Sequence, residues 1–234
     1  MSQIPVIGNL PVMQSTWSML WSDFFNGMEL QRLASTISMM PLDNNRLFIS
    51  SAGQGEGKTT VTLGLAIALK TLGFQVLVVD ADFRQQTLSK KLEQPTPNPA
   101  HVPVPIMPGL DLLGFTTLAT QGMEFVLRGS FEQALHQAQL EGQYDYILID
   151  GPGICHSGES LLLATIAKHI LWVVRPGYSE RFMVSKAIAQ VTRYQNIEWA
   201  GMLLNGTESL VEKEIPGEIR TIPTKDSSRN LISK

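Results

Sequence analysis

Ser50-Ser51-Ala52-Gly53-Gln54-Gly55-Glu56-Gly57-Lys58-Thr59-Thr60 follows the apolar run Leu47 to Ile49 and opens a long apolar helical run. A strand, a glycine-rich turn and a helix in that order form a cradle for phosphate. The glycines let the backbone curl so that successive N–H groups point inward, and the start of a helix near Lys58 adds a partial positive charge. Lys58 then reaches the β and γ phosphates, and the Thr59 hydroxyl is placed to coordinate a magnesium ion bridging them. The stretch implies a nucleoside triphosphate site made from Gly53, Gln54, Gly55, Glu56, Gly57, Lys58, Thr59 and Thr60. The common pattern begins with glycine where this chain has Ala52. A dinucleotide site is disfavoured, because the glycines run G-x-G-x-G and none falls where G-x-G-x-x-G requires it.

Outward from the loop, short β-branched runs alternate with longer helical stretches, the signature of βαβ units. Strands are predicted at Leu47 to Ser50, Val76 to Asp80, Leu110 to Leu113, Tyr146 to Asp150, Ile170 to Val174 and Ala200 to Leu204. Continuous apolar runs such as Val76-Leu77-Val78-Val79 suit strands covered on both faces. The predicted fold is therefore α/β: a doubly wound, mainly parallel sheet with helices on both faces and a ligand site at the carboxyl ends of its strands. Gln94 to Pro108 carries six prolines and is predicted as a loop with stiff extended pieces. One globular domain is expected overall, with an N-terminal helical segment over 1–45, a nucleotide-binding core over 46–207 and a tyrosine-free tail over 208–234.

The 234 residues, 44% of them apolar, suffice for one large α/β domain. A formal charge of −3 and an isoelectric point near 5.8 give no overall attraction to nucleic acid. The single cysteine, Cys155, is read as a small buried residue and permits no intrachain disulfide. No Lys or Arg precedes Arg32, so the N-terminus lacks the basic start of a secretory signal, and a cytoplasmic location is expected. Trp17, Leu20, Trp21, Phe24 and Phe25 recur at helical spacing. They form one apolar face, which either packs on the domain itself or docks on a partner or membrane surface.

Two further predicted strands end in acids. Asp80 closes Leu77-Val78-Val79, with Asp82 and Arg84 just beyond it, and Asp150 closes Ile147-Leu148-Ile149 ahead of Gly151-Pro152-Gly153. Parallel strands bring these ends to the edge that holds the phosphate loop. Anionic oxygen is needed there if magnesium accompanies a triphosphate.

With these residues in place, the chain resembles the bacterial tyrosine kinases that regulate capsule and exopolysaccharide synthesis and export. The phosphate loop, Val78-Val79-Asp80-Ala81-Asp82-Phe83-Arg84 and Ile147-Leu148-Ile149-Asp150-Gly151-Pro152-Gly153 look like their Walker A, A′ and B motifs. The likeness continues through Leu171 to Gly177 and Gly201 to Gly206. A wider kinship takes in septum-positioning and plasmid-partition P-loop ATPases. The resemblance implies ATP and Mg2+ as cofactors, with Lys58 and Thr59 on phosphate and metal and Thr60 near the α-phosphate. Asp80 would be a catalytic base or metal-ordering carboxylate, so that Lys58, Asp80 and Asp82 carry the chemistry. Thr59, Asp82 and Asp150 would form the metal environment, and Asn205 would hydrogen-bond the adenine. Glu159 stands where the family often has an Asp.

The implied partner is the cytoplasmic segment of a membrane polysaccharide co-polymerase or adaptor, which would hold the chain at the inner face of the plasma membrane. A homo-oligomer is a further expectation. The chain also departs from the family. Its last tyrosine is Tyr194, so autophosphorylation of a tyrosine-rich tail is not expected. Gly153 and Gln54 replace common prolines, Ser35 replaces an arginine in the E-x-x-R helix Glu29 to Thr36, and Lys91 to Gly109 is shortened. Besides an ATPase of the kinase type, two readings stand: a nucleotide-dependent regulatory switch with little turnover, and a partition-type positioning ATPase. Gly53 counts against the last, since it occupies the place of those ATPases' second lysine.

Overall fold

Leu47 and Ile49 point into one hydrophobic layer and Phe48 into another, and the same alternation holds along every central strand of the sheet. The computed structural model describes residues 4–11, 27–92, 102–115 and 121–207. In chain order these form β1 (Val6–Pro11), α1 (Met28–Ser38), β2 (Arg46–Ser51), α2 (Lys58–Thr71), β3 (Val76–Asp80), α3 (Thr87–Lys91), β4 (Val104–Met107), β5 (Leu110–Leu113), α4 (Gly122–Leu127), α5 (Ser130–Gly142), β6 (Tyr146–Asp150), α6 (Glu159–Ala167), β7 (His169–Val174), α7 (Arg181–Val191) and β8 (Glu198–Thr207). The strands make one sheet in the order β1-β8-β7-β2-β6-β3-β5-β4. Every neighbouring pair is parallel except β4 and β5.

The period of two sends Leu47, Val78, Leu148 and Leu171 to the side packed by α1 and α2. Phe48, Leu77, Ile149 and Trp172 go to the side packed by α5, α6 and α7. Helices therefore cover both faces, as expected for a doubly wound sheet, and the strands are buried on both sides. Removing a large side chain from such a layer typically costs about 2–5 kcal/mol. Helix α1 lays Leu30, Leu33, Ala34 and Ile37 on this core and leaves Glu29 and Arg32 exposed.

All six predicted strands are present, and two more were not foreseen. The 1–45 segment expected to be helical begins with a strand: β1 adds to the sheet edge, parallel to β8. The proline-rich stretch contributes β4, an antiparallel edge strand in which Pro105 opposes Asp111. An edge tolerates proline because one row of its N–H groups faces away from the sheet. The aromatic stripe Trp17 to Phe25 and the tyrosine-free tail lie outside the described residues. Among the described residues no helix is long and apolar enough to cross a membrane.

Candidate nucleotide site

The carboxyl ends of β2, β3 and β6 lie side by side, and each delivers one of the three motifs to the same edge. In the loop after β2, Gly55 (φ 73°) and Gly57 (φ 95°) adopt the left-handed region that favours glycine. A side chain at either place would also meet a neighbour, the Tyr178 hydroxyl at Gly55 and the Asn205 amide at Gly57. Gly57 caps α2, and the Val61 N–H donates to its carbonyl at 2.9 Å.

Lys58 begins α2 with its side chain folded under the loop. Its Nζ donates to the Gly53 carbonyl at 2.8 Å and to the Ser51 hydroxyl oxygen at 3.2 Å. Burial holds this ammonium below its ordinary pKa, opposed by Asp150, Glu56 and Asp82. The Gly53 N–H donates to Glu56 Oε2 at 2.6 Å, so both backbone groups of Gly53 are engaged within the loop. Glu56 is itself gripped from outside. Ser179 donates to its Oε1, Asn205 Nδ2 donates to its backbone carbonyl at 2.9 Å, and Arg175 donates to the adjacent Gly55 carbonyl at 3.2 Å.

Register places Asp80 opposite Asp150. Asp80 Oδ2 accepts two hydrogen bonds from Ser89, from the backbone N–H at 2.8 Å and the hydroxyl at 2.7 Å. Asp150 Oδ1 accepts from the Thr62 hydroxyl at 3.3 Å, and the nearby Thr59 side chain opposes the rise in its pKa. The other oxygen of each, Asp80 Oδ1 and Asp150 Oδ2, is buried without a hydrogen-bond partner. Desolvation raises Asp80 to about 6, and raises Asp150 to about 7 with added repulsion from Asp80. Two orphaned carboxylate oxygens beside the Thr59 hydroxyl suit a hard cation, directly or through water.

Asp82 is carried on a rigid turn. Phe83 next to it is fully buried and stacks edge-on with Phe115, Phe125 and Phe131 at centroid distances of 5.7, 6.0 and 6.0 Å. Asp82 Oδ1 accepts from the Gln85 N–H at 3.0 Å. Arg84 reaches back to the buried Glu159 at 3.9 Å, which ties this turn to the start of α6. The segment after β6 is pressed onto the phosphate loop. The Ile154 N–H donates to Ser51 O at 2.9 Å, the Ser50 hydroxyl donates to Pro152 O at 2.8 Å, and a Cβ on Gly153 would lie 2.6 Å from Gly53 O.

A cavity of about 380 Å³ opens above this edge, within the range of small-molecule sites. Of the expected residues, Gln54, Gly55, Gly57, Lys58, Thr59, Thr60, Asp82 and Asn205 line it. Asp80 and Asp150 do not; they sit beneath it, buried to 1% exposure. Gly53 and Glu56 line a second cavity on the other side of the loop, shared with His156 and Tyr178. Sequence reasoning assigned no role to Lys91 or Arg175, which also line the first cavity. Each is a basic residue shortly after a strand that ends at the loop-bearing edge, and that position was the available signal.

The sequence profile of the CobQ/CobB/MinD/ParA nucleotide binding domain matches residues 47–222. Among curated proteins, EpsB of Ralstonia nicotianae, provisionally named a tyrosine-protein kinase, is 28% identical over 197 residues, covering 76% of this chain and 25% of the relative. The tyrosine-protein kinase CpsD of Streptococcus agalactiae is 24% identical over 196 residues, covering 78% and 82%. The chain thus spans a quarter of the length of the Ralstonia relative. Among solved structures, the kinase domain of the Escherichia coli tyrosine kinase ETK superposes with a TM-score of 0.75 at 20% identity, covering 97% of this chain and 95% of that one. Cobyrinic acid a,c-diamide synthase from Mycobacterium smegmatis, solved with an ATP analogue and magnesium, gives 0.54 at 24% identity, covering 68% and 72%. At these identities the two structures establish the shared fold. The curated relatives bear out the resemblance to tyrosine kinases drawn from the motifs.

Proposed function

We propose that this chain, which belongs to the CobQ/CobB/MinD/ParA nucleotide-binding domain family, binds ATP with magnesium and hydrolyses it or transfers its terminal phosphoryl group to a protein tyrosine. The observation that carries this reading is the convergence at one sheet edge of Lys58, Thr59 and Asp82, which line a nucleotide-sized cavity, with Asp80 and Asp150 paired in register and buried beneath it. Lys58 would leave the Gly53 carbonyl for the β and γ phosphates, and the N–H groups of the loop would hold the phosphate oxygens. Thr59, Asp82 and Asp150 would hold the metal, whose role when bound is to neutralise charge on the β and γ oxygens. Asp80, raised to about 6 and fixed by Ser89, has a basicity suited to taking the proton of an attacking water or tyrosine hydroxyl as ADP departs. Asn205 would approach the base with its remaining carbonyl oxygen.

The motif resemblance, matched by relatives named as tyrosine-protein kinases, is the ground for proposing a setting in exopolysaccharide or capsule synthesis, with the chain docked on a membrane co-polymerase or adaptor at the cytoplasmic face and able to self-associate. A second reading, a nucleotide-dependent switch with little turnover, is favoured by one observation: Gly53 and Lys58 satisfy each other inside the loop, so the loop must rearrange to receive phosphate. Magnesium-dependent ATP turnover by the purified chain, followed by an anti-phosphotyrosine blot with and without an added tyrosine-bearing partner segment, separates the readings. Turnover and phosphotyrosine, both absent in Lys58→Met, support the kinase. Saturable ATP binding without turnover supports the switch.

A further inference from the structure

A groove of about 910 Å³ lies between α7 and the sheet edge formed by β1. Its walls include Ile188 and Ala189 of α7, Trp199 and Met202 of β8, and Val6 of β1. Trp199 is half-buried and stacks edge-on against the fully buried Trp172 at 5.8 Å, so the groove floor is continuous with the core. Val6 is left 55% exposed. Apolar surface gathered into a concave patch of this size is unfavourable in water and marks a docking surface. Among the described residues that line it, Arg193 alone is charged.

The chain itself carries a fitting occupant. Residues Val12 to Asn26 join the end of β1 at Pro11 to Gly27, which leads into α1. Within them Trp17, Leu20, Trp21, Phe24 and Phe25 fall on one helix face, and the stretch has a single charge, Asp23, opposite in sign to Arg193. Both of its ends are tied to the groove's edge strand. β1 runs straight into it, and α1 packs beside β1, with Leu33 Cδ1 3.7 Å from a Cβ placed on Gly8. Extended, Val12 to Thr16 cover about 17 Å, roughly the length of β1 from Pro11 back to Val6, which brings the aromatic stretch within reach of the groove. The tail after Thr207 is the poorer candidate, since it is densely charged and has no aromatic residue.

We infer that residues 17–25 dock as an amphipathic helix in the groove between α7 and β1, with their aromatic face on Ile188, Trp199 and Met202 and with Asp23 toward Arg193. The stripe is then a cover for the domain's own sheet edge, and while docked it is withheld from a membrane or a partner.

The test is cross-linking in the full chain, with Cys155→Ser removing the native thiol and the pair Leu20→Cys and Ala189→Cys joined by a short bismaleimide. The control pairs Leu20→Cys with Leu140→Cys, an exposed position on α5 outside the groove wall. Tethering within one chain should make the groove pair link about tenfold faster than the control, in the monomer band and on peptides identified by mass spectrometry. Thermal unfolding of otherwise unmodified chains gives a second reading: Trp21→Ala and Ala189→Glu should each lower Tm by about 3–5 °C, and the double variant should fall little further, because each change removes the same contact. Linkage between two chains would assign the groove to a second copy and overturn the inference. No linkage beyond the control, or fully additive losses in Tm, would also overturn it and leave the stripe to a partner or membrane.

Discussion

Replacing Asp150 with Asn should make the nucleotide-free protein more stable at pH 8 and leave its stability near that of wild type at pH 4.5. Both acids ionise near 3.8 when unshielded, but in the folded chain Asp80 is raised to about 6 and Asp150 to about 7. Between those limits the folded protein retains protons that the unfolded chain has released. Stability from these groups is therefore full below pH 3.8 and is lost as pH rises through 6 and 7. For Asp150 alone, a rise from 3.8 to about 7 corresponds to about 4 kcal/mol once the group is fully ionised. The amide keeps an acceptor for Thr62, puts a donor in place of the unpartnered Oδ2, and removes the charge that repels Asp80. A gain of about 2–4 kcal/mol at pH 8 is expected, or roughly 5–15 °C in Tm for a domain of this size. Urea unfolding at the two pH values, without magnesium or nucleotide, measures it. Added Mg-ATP should then favour wild type, because the variant lacks the carboxylate proposed to help hold the metal. A variant no more stable than wild type at pH 8, or equally stabilised at both pH values, would refute the reasoning that the acid pair stores repulsion.

Gly153→Ala places a Cβ 2.6 Å from Gly53 O and 2.9 Å from Gly53 C, all backbone atoms that cannot swing aside. It should cost about 1–3 kcal/mol in unfolding and weaken ATP binding together; a variant unchanged in both thermal unfolding and titration would show that the segment after β6 does not brace the phosphate loop. Asp80→Asn should leave Mg-ATP binding largely intact and reduce turnover by about a hundredfold or more, read in a coupled-enzyme assay. Retained turnover would remove Asp80 from the chemistry.

The motifs were legible because each combines a strand end with residues whose chemistry is local: glycines that curl, a lysine, a threonine and acids after apolar runs. The central strands were equally legible, since burial on both faces leaves an unbroken apolar run such as Val76 to Val79. The edges were not. In β1 the run is punctuated by Gly8 and Pro11, and its place is set by pairing with β8, nearly two hundred residues away in sequence. In β4 the prolines hid a strand whose exposed side needs no hydrogen bonds. The site showed the same divide. Lys58 and Asp150 declare themselves, whereas the Ser89 grip on Asp80, the clamp of Ser179 and Asn205 on Glu56, and the turn of Lys91 toward the cavity arise only when separate segments pack together.

The central claim is that the loop from Ser50 to Thr60 is a working ATP site organised around Lys58. Calorimetric titration of Mg-ATP into wild type and Lys58→Met, with circular dichroism confirming that both are folded, tests it most directly. Saturable binding in wild type that disappears in the variant is the predicted result. Equal affinity in the two proteins, or no binding by folded wild type, would contradict it.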